Sequence, residues 1–277
     1  MNIHQILNDY DNLFAHATPD EIHAFLADHI RIAQEEGDSS ALLTLLNEQI
    51  GYSRDTDRKE VAFESISKLQ SLLPAMGIQG TMAYGNSMLN IANCCRKFGR
   101  YEESLNAFLE AESTYKSNLK ETDYAFAGLY NNWSLLALAQ HDNHNAIDLI
   151  RKSIAIIDLY PQAVINQATS RINLAVVLNN LSKEEANPSL HEEAYSVLET
   201  SIALFKKTDE QDYHYAGALS AQADMEMEDH LYAEAAGHYD QAIRILKLYV
   251  GDNTTVQTLT RKREIALSNI NEIKKQV

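Results

Sequence analysis

The chain has 277 residues, 45% of them apolar and 22% charged, and a formal net charge of −16. That apolar share is too high for a disordered chain. The acidic balance argues against phosphate-backbone binding and against docking on an anionic membrane, which need clustered Lys and Arg, and no apolar run nears the ~18 residues of a membrane span.

Four prolines and ten glycines leave little punctuation, and apolar residues recur at three- and four-residue steps, so nearly everything reads as helix. Residues 1–40 are expected to form an abbreviated helical hairpin. Within it, Thr18 caps a helix over 18–36, Pro19 suits the first helical position, and Glu21 completes a capping box. Ile22, Phe25, Leu26, Ile30 and Ile32 are its expected buried stripe.

From residue 41 the chain repeats. Ala62, Ser104, Ala146, Ala194 and Ala235 follow one another at 42, 42, 48 and 41 residues. The longer step is explained by an insertion at 183–190, inside "SKEEANPSLHEEA". The stretch "LNIANCCRKFGRYEESLNAFLEA", residues 89–111, is one copy, with a helix, a tight turn at Gly99 and a second helix. Met88, Ile91, Ala92, Cys95, Tyr101, Ser104, Phe108 and Ala111 carry its pattern. Tyr130, Trp133, Ser134, Ala137, Ala146, Ile150 and Ser153 occupy the same offsets in the next copy. Ala92, Ser104 and Ala111 are small because paired helices must approach closely there. A final amphipathic helix over 253–275 is expected to put Leu259, Ala266, Ile270 and Ile273 against the stack and Arg261, Lys262 and Arg263 toward water.

The order large, large, small in a first helix A, a tight turn, then small, aromatic, small in a helix B resembles the tetratricopeptide repeat, whose usual length is about 34 residues. The spacing near 42 is similar to that of the long-helix kinesin light chain arrays and of peptide-sensing regulators of Gram-positive bacteria. The resemblance implies an all-α, right-handed α-solenoid of about five helix pairs over 41–248, capped by 1–40 and 253–277, as one superhelical domain. End caps are needed because each end otherwise exposes an apolar face.

It also implies a concave groove lined by the A helices. Asn90, Asn132 and Asn173 recur there at steps of 42 and 41, although asparagine is a poor helix-interior residue. In related arrays such residues grip the backbone of a bound peptide, and an amide supplies both the donor and the acceptor that this requires. The alternative is that they bond between neighbouring helices. Glu48 and Ala221 interrupt the ladder in the first and last copies. Further inner-face candidates are Asn86, Asn93, Arg96, Lys97, Asn131, Asn179, Asn180, Asp224 and Glu228. With Arg54 they suggest a groove running from basic to acidic, or else ordinary solvated charges. Tyr84, Tyr124, Tyr130, Tyr213, Tyr215 and Trp133 are read as packing residues.

No phosphate loop, nucleophile elbow or zinc-protease signature is present. His141 and His144 are too few for a zinc site. Cys94 and Cys95, adjacent on a helix, diverge and are expected to be inert thiols. No enzyme activity, metal or cofactor is expected. The absence of a signal-peptide pattern after Met1 and the cysteine usage point to the cytoplasm. The expected function is a bacterial-type adaptor or scaffold that binds a protein or peptide. The alternatives are a sensor of the peptide-pheromone type, or an accessory subunit or homo-oligomer; the oligomeric state and the partner's identity are not encoded legibly.

Overall fold

A computed structural model describes residues 1–208 and 213–276, with side chains through residue 274. Thirteen α-helices and no strand occur among the described residues. They are α1 (Ile3–Leu13), α2 (Pro19–Glu36), α3 (Ser39–Asp55), α4 (Lys59–Met76), α5 (Met82–Lys97), α6 (Tyr101–Asn118) and α7 (Tyr124–Ala139). The series continues with α8 (Asn143–Ile157), α9 (Val164–Glu184), α10 (Pro188–Phe205), α11 (Tyr213–Glu228), α12 (Tyr232–Val250) and α13 (Thr254–Gln276). The fold class is an all-α solenoid. Packing divides the chain into two compact units, Met1–Glu121 and Thr122–Val277; Val277 itself lies outside the described residues. The first unit holds α1, α2 and the pairs α3–α4 and α5–α6. The second holds α7–α8, α9–α10, α11–α12 and α13.

The helix boundaries follow from local chemistry. Thr18 and Glu21 form the reciprocal capping box, Pro19 stands at the first position, and Gly37 closes α2 at φ 66°. Its buried line is Ile22, Leu26, Ile30 and Ala33. Phe25 and Ile32 flank that line and are half-buried, which corrects the expected stripe. Each A–B turn uses one left-handed residue, at Asp57, Gly99, His141, Ala186 and His230. Only one of the five is glycine, which is why only the Gly99 turn announced itself.

The small positions let helices touch. Ala92, Ser104 and Ala111 are fully buried, and Ser104 Oγ donates to the Ala92 carbonyl at 2.8 Å, joining α6 to α5. In the next two pairs a serine at the position of Ala111 makes a similar bond, Ser153 Oγ donating to Ala127 O at 2.8 Å and Ser201 Oγ to Ala168 O at 2.9 Å. Gly85 stands in register with Ala127 and Ala168. A Cβ there would meet Tyr115 Cε1 at 2.8 Å.

Two expectations are corrected. Lys262 and Arg263 are only half exposed and form ion pairs with Asp224 and Asp240 in the second unit, whereas Arg261 is exposed as expected. On the same helix Leu259 and Ala266 are buried, whereas Ile273 is exposed. Trp133, Tyr130 and Tyr215 pack on the core, but Tyr124 and Tyr213 are exposed at the first turns of α7 and α11. The insertion, whose conformation the repeat spacing left open, is largely helical. It lengthens α9 to 21 residues and begins α10 at Pro188, with Asn187 accepting from Ser189 N as its cap.

Candidate functional site

The A helices carry the asparagines at half-buried positions, and their amide donors are used within the protein. Asn90 Nδ2 donates to Asn47 O at 2.7 Å, tying α5 to α3. Asn132 Nδ2 donates to Gly128 O at 2.8 Å in its own helix. Asn173 Nδ2 donates to Asn131 Oδ1 at 3.0 Å, tying α9 to α7. Asn86 Oδ1 accepts from the Tyr115 hydroxyl at 2.7 Å. Asn93 is only 7% exposed, and its Oδ1 has no partner among the described residues. Glu48, at the ladder position of the first pair, is raised in pKa by burial and then by Asp11.

The charged candidates of the first unit are locally neutralised. Arg54 pairs with Asp55 at 2.7 Å and Lys97 with Asp57 at 3.0 Å, while Arg96 is half-buried in the last turn of α5. Cys94 and Cys95 are free and buried. Burial pushes their thiols up to about 12 and about 11, so neither is a ready nucleophile near neutral pH.

In the second unit the structure brings four candidates together. Asn179, Asn180, Asp224 and Glu228 line a cavity of ≈ 390 Å³ on the faces of α9, α11 and α13. Val176, Ala221, Met225, Met227 and Ile265 supply its apolar lining, and Tyr239 of α12 also borders it. Asp224 receives Lys262 Nζ at 2.7 Å on both oxygens and also accepts from the Tyr239 hydroxyl. Burial, then that bond, drives the tyrosine pKa upward. Glu228 accepts from Lys183 Nζ at 2.5 Å and from Asn179 Nδ2 at 3.1 Å. Asn180 is half-buried, and its side-chain amide makes no hydrogen bond among the described residues.

Beside the cavity runs a polar network that the sequence did not reveal. His191 bridges Asn179 Oδ1 at 2.8 Å and Asp229 Oδ1 at 3.2 Å, and the Tyr195 hydroxyl donates to Asp229 at 2.5 Å. Lys183 and His191 lie in or beside the inserted turns, so the insertion holds the C-terminal end of α11, where Glu228 and Asp229 sit. The one available signal was Lys183 within the insertion and His191 and Tyr195 just after it, in an otherwise regular repeat. His144, for its part, faces Glu185 at 3.2 Å rather than His141. No group of three or more His, Cys, Asp or Glu suited to a metal occurs among the described residues, and none of their helices is long and apolar enough to cross a membrane.

No family model and no curated protein matches this sequence. Among solved structures, the apo form of the quorum sensor NprR from B. thuringiensis is similar, with a TM-score of 0.53 and 16% identity over 96% of this chain and 76% of that one. The crystal structure of BtubC (BKLC) from P. vanneervenii is similar with a TM-score of 0.49 and 16% identity over 83% of this chain and 91% of that one. At this identity the likeness to NprR is one of fold, an all-helical repeat architecture.

Proposed function

We propose that the chain is a non-enzymatic peptide-binding protein of the cytoplasm that holds a short extended segment against its A-helix faces. The observation that supports this is the ≈ 390 Å³ cavity on α9, α11 and α13, which gathers amides, ion pairs and apolar side chains in one place. Ligand pockets fall at about 300–1,000 Å³ and combine an apolar lining with a few placed polar groups. An extended peptide needs both, because its backbone has donors and acceptors to satisfy and its side chains have apolar surface to bury. The two buried thiols without a disulfide suit a reducing compartment.

Native mass spectrometry of the purified chain with a pool of short synthetic peptides tests the reading. Retention of individual peptides at one per chain supports it. Retention of none, with the chain appearing only as a complex with itself or with large proteins, refutes it in favour of an accessory subunit or homo-oligomer.

A second reading, a peptide-responsive regulatory sensor, is favoured over a fixed adaptor by the likeness in fold to a quorum sensor. Solution scattering with and without a retained peptide separates the two. A sensor changes its scattering curve on binding, and a fixed adaptor keeps it.

A further inference from the structure

The charges around the cavity of the second unit are already spent on one another. Asp224 is committed to Lys262 and Tyr239, and Glu228 to Lys183 and Asn179. A charged ligand group entering here meets partners already in place, and because these pairs are a third to a half exposed, a charge gains little from them. What stays available is apolar and amide surface. Met225 and Met227 are unbranched, polarisable side chains that adapt to an apolar guest. Ile265 is 54% exposed at the edge of the cavity, and Asn180 offers an amide with no partner of its own.

Resting on the peptide-binding reading above, we infer that this cavity is a specificity pocket for an uncharged aliphatic side chain of the bound segment, with Asn180 hydrogen-bonding the adjoining peptide group. One lining residue, Lys183, comes from the inserted turns. Lys183 reaches Glu228, and the neighbouring His191 and Tyr195 fix Asp229, so α11 is held against α9 at the depth where the guest sits. Selection at this site is therefore by apolar burial and the Asn180 amide rather than by attraction of a charge.

The test uses the full chain labelled with ¹³C at the methionine methyl groups. The six methionines include Met225 and Met227 at the cavity, and Met82 and Met88 on α5 in the other unit. The probes are the N-acetyl, N′-methylamide derivatives of leucine, lysine and glutamate. The leucine derivative is expected to shift the Met225 and Met227 signals saturably, at about tenfold lower concentration than the other two, which corresponds to about 1.4 kcal/mol. Asn180→Trp should abolish the shift by filling the cavity. Ile265→Ser, at an exposed position that leaves folding undisturbed, should weaken it several-fold.

Equal responses to all three derivatives would overturn the inference, as would shifts that persist in both variants. If a peptide retained by the chain moves Met82 or Met88 but neither Met225 nor Met227, the pocket assignment fails while the peptide-binding reading stands. If no probe moves Met225 or Met227 and the chain retains no peptide, both fail.

Discussion

His23 is held neutral by the polarity of its partners. The Thr56 hydroxyl donates to Tyr52 O at 2.7 Å, so at 2.7 Å from His23 Nε2 it accepts the ring proton. The Gln49 amide then donates to Nδ1 at 2.9 Å. A second ring proton would face that NH₂ group. Burial, and then the Arg58 charge, lower the imidazole pKa from 6.5 to about 4. The unfolded chain therefore binds this proton more readily than the folded one, and the stability is present above about pH 6.5 and lost as pH falls toward 4. Urea unfolding of wild type and His23→Gln across that window should show a steeper acid loss in the wild type. Parallel curves would refute the assignment.

Two glycines give a second residue-scale contrast. At Gly85 an added Cβ meets Tyr115 Cε1 at 2.8 Å and Thr114 Cγ2 at 3.1 Å. Overpacking costs typically 1–3 kcal/mol against a helix-propensity gain of about 1, so Gly85→Ala should destabilise by about 1 kcal/mol. At Gly128, inside α7, nothing lies within 4 Å of the added Cβ. Gly128→Ala should stabilise by up to about 1 kcal/mol in the same denaturation measurement.

At the scale of elements, α13 acts as the partner that α11 and α12 need. It buries Val256, Leu259 and Ala266 and places Lys262 on Asp224. Burial of Val and Leu side chains is worth roughly 1.5–3 kcal/mol each, so ending the chain after Gly251 should cost about 4 kcal/mol. It should also expose Leu246 and Val250, which pack in the same cluster. A lower thermal midpoint with binding of a hydrophobic dye is expected, and an unchanged midpoint would rule out a capping role. The inserted turns of α9 and α10 show the converse. The insertion carries a proline and polar residues, but Pro188 suits the first position of a helix and Asn187 its cap, so the added residues extend the hairpin.

Over the whole molecule, 39 acidic residues face 23 basic ones. The ion pairs described above hold their charges within 4 Å, and the excess negative charge repels over longer distances. Salt screens beyond about 10 Å at 0.1 M and leaves close pairs much less affected. Raising the sodium chloride concentration from about 0.01 to 0.1 M should therefore raise the thermal midpoint, because self-repulsion is the term removed. A fall would mean that exposed ion pairs, worth about 0–1 kcal/mol each, outweigh it.

By itself the sequence determined the helix pairs. Periodicity, the Thr18–Glu21 box, the Gly99 turn and the spaced small residues are all written within a few positions of one another, and a buried serine or alanine records how near the next helix must come. What each inner-face side chain does was decided only by tertiary structure. The regular spacing of Asn90, Asn132 and Asn173 does not say which carbonyl each amide reaches. The charge of Asp224 does not say that Lys262, 38 residues further on, will neutralise it. Hydrogen bonds and ion pairs depend on distances of a few tenths of an ångström between residues far apart in the chain, and the cavity, being the space left among four helices, has no sequence of its own.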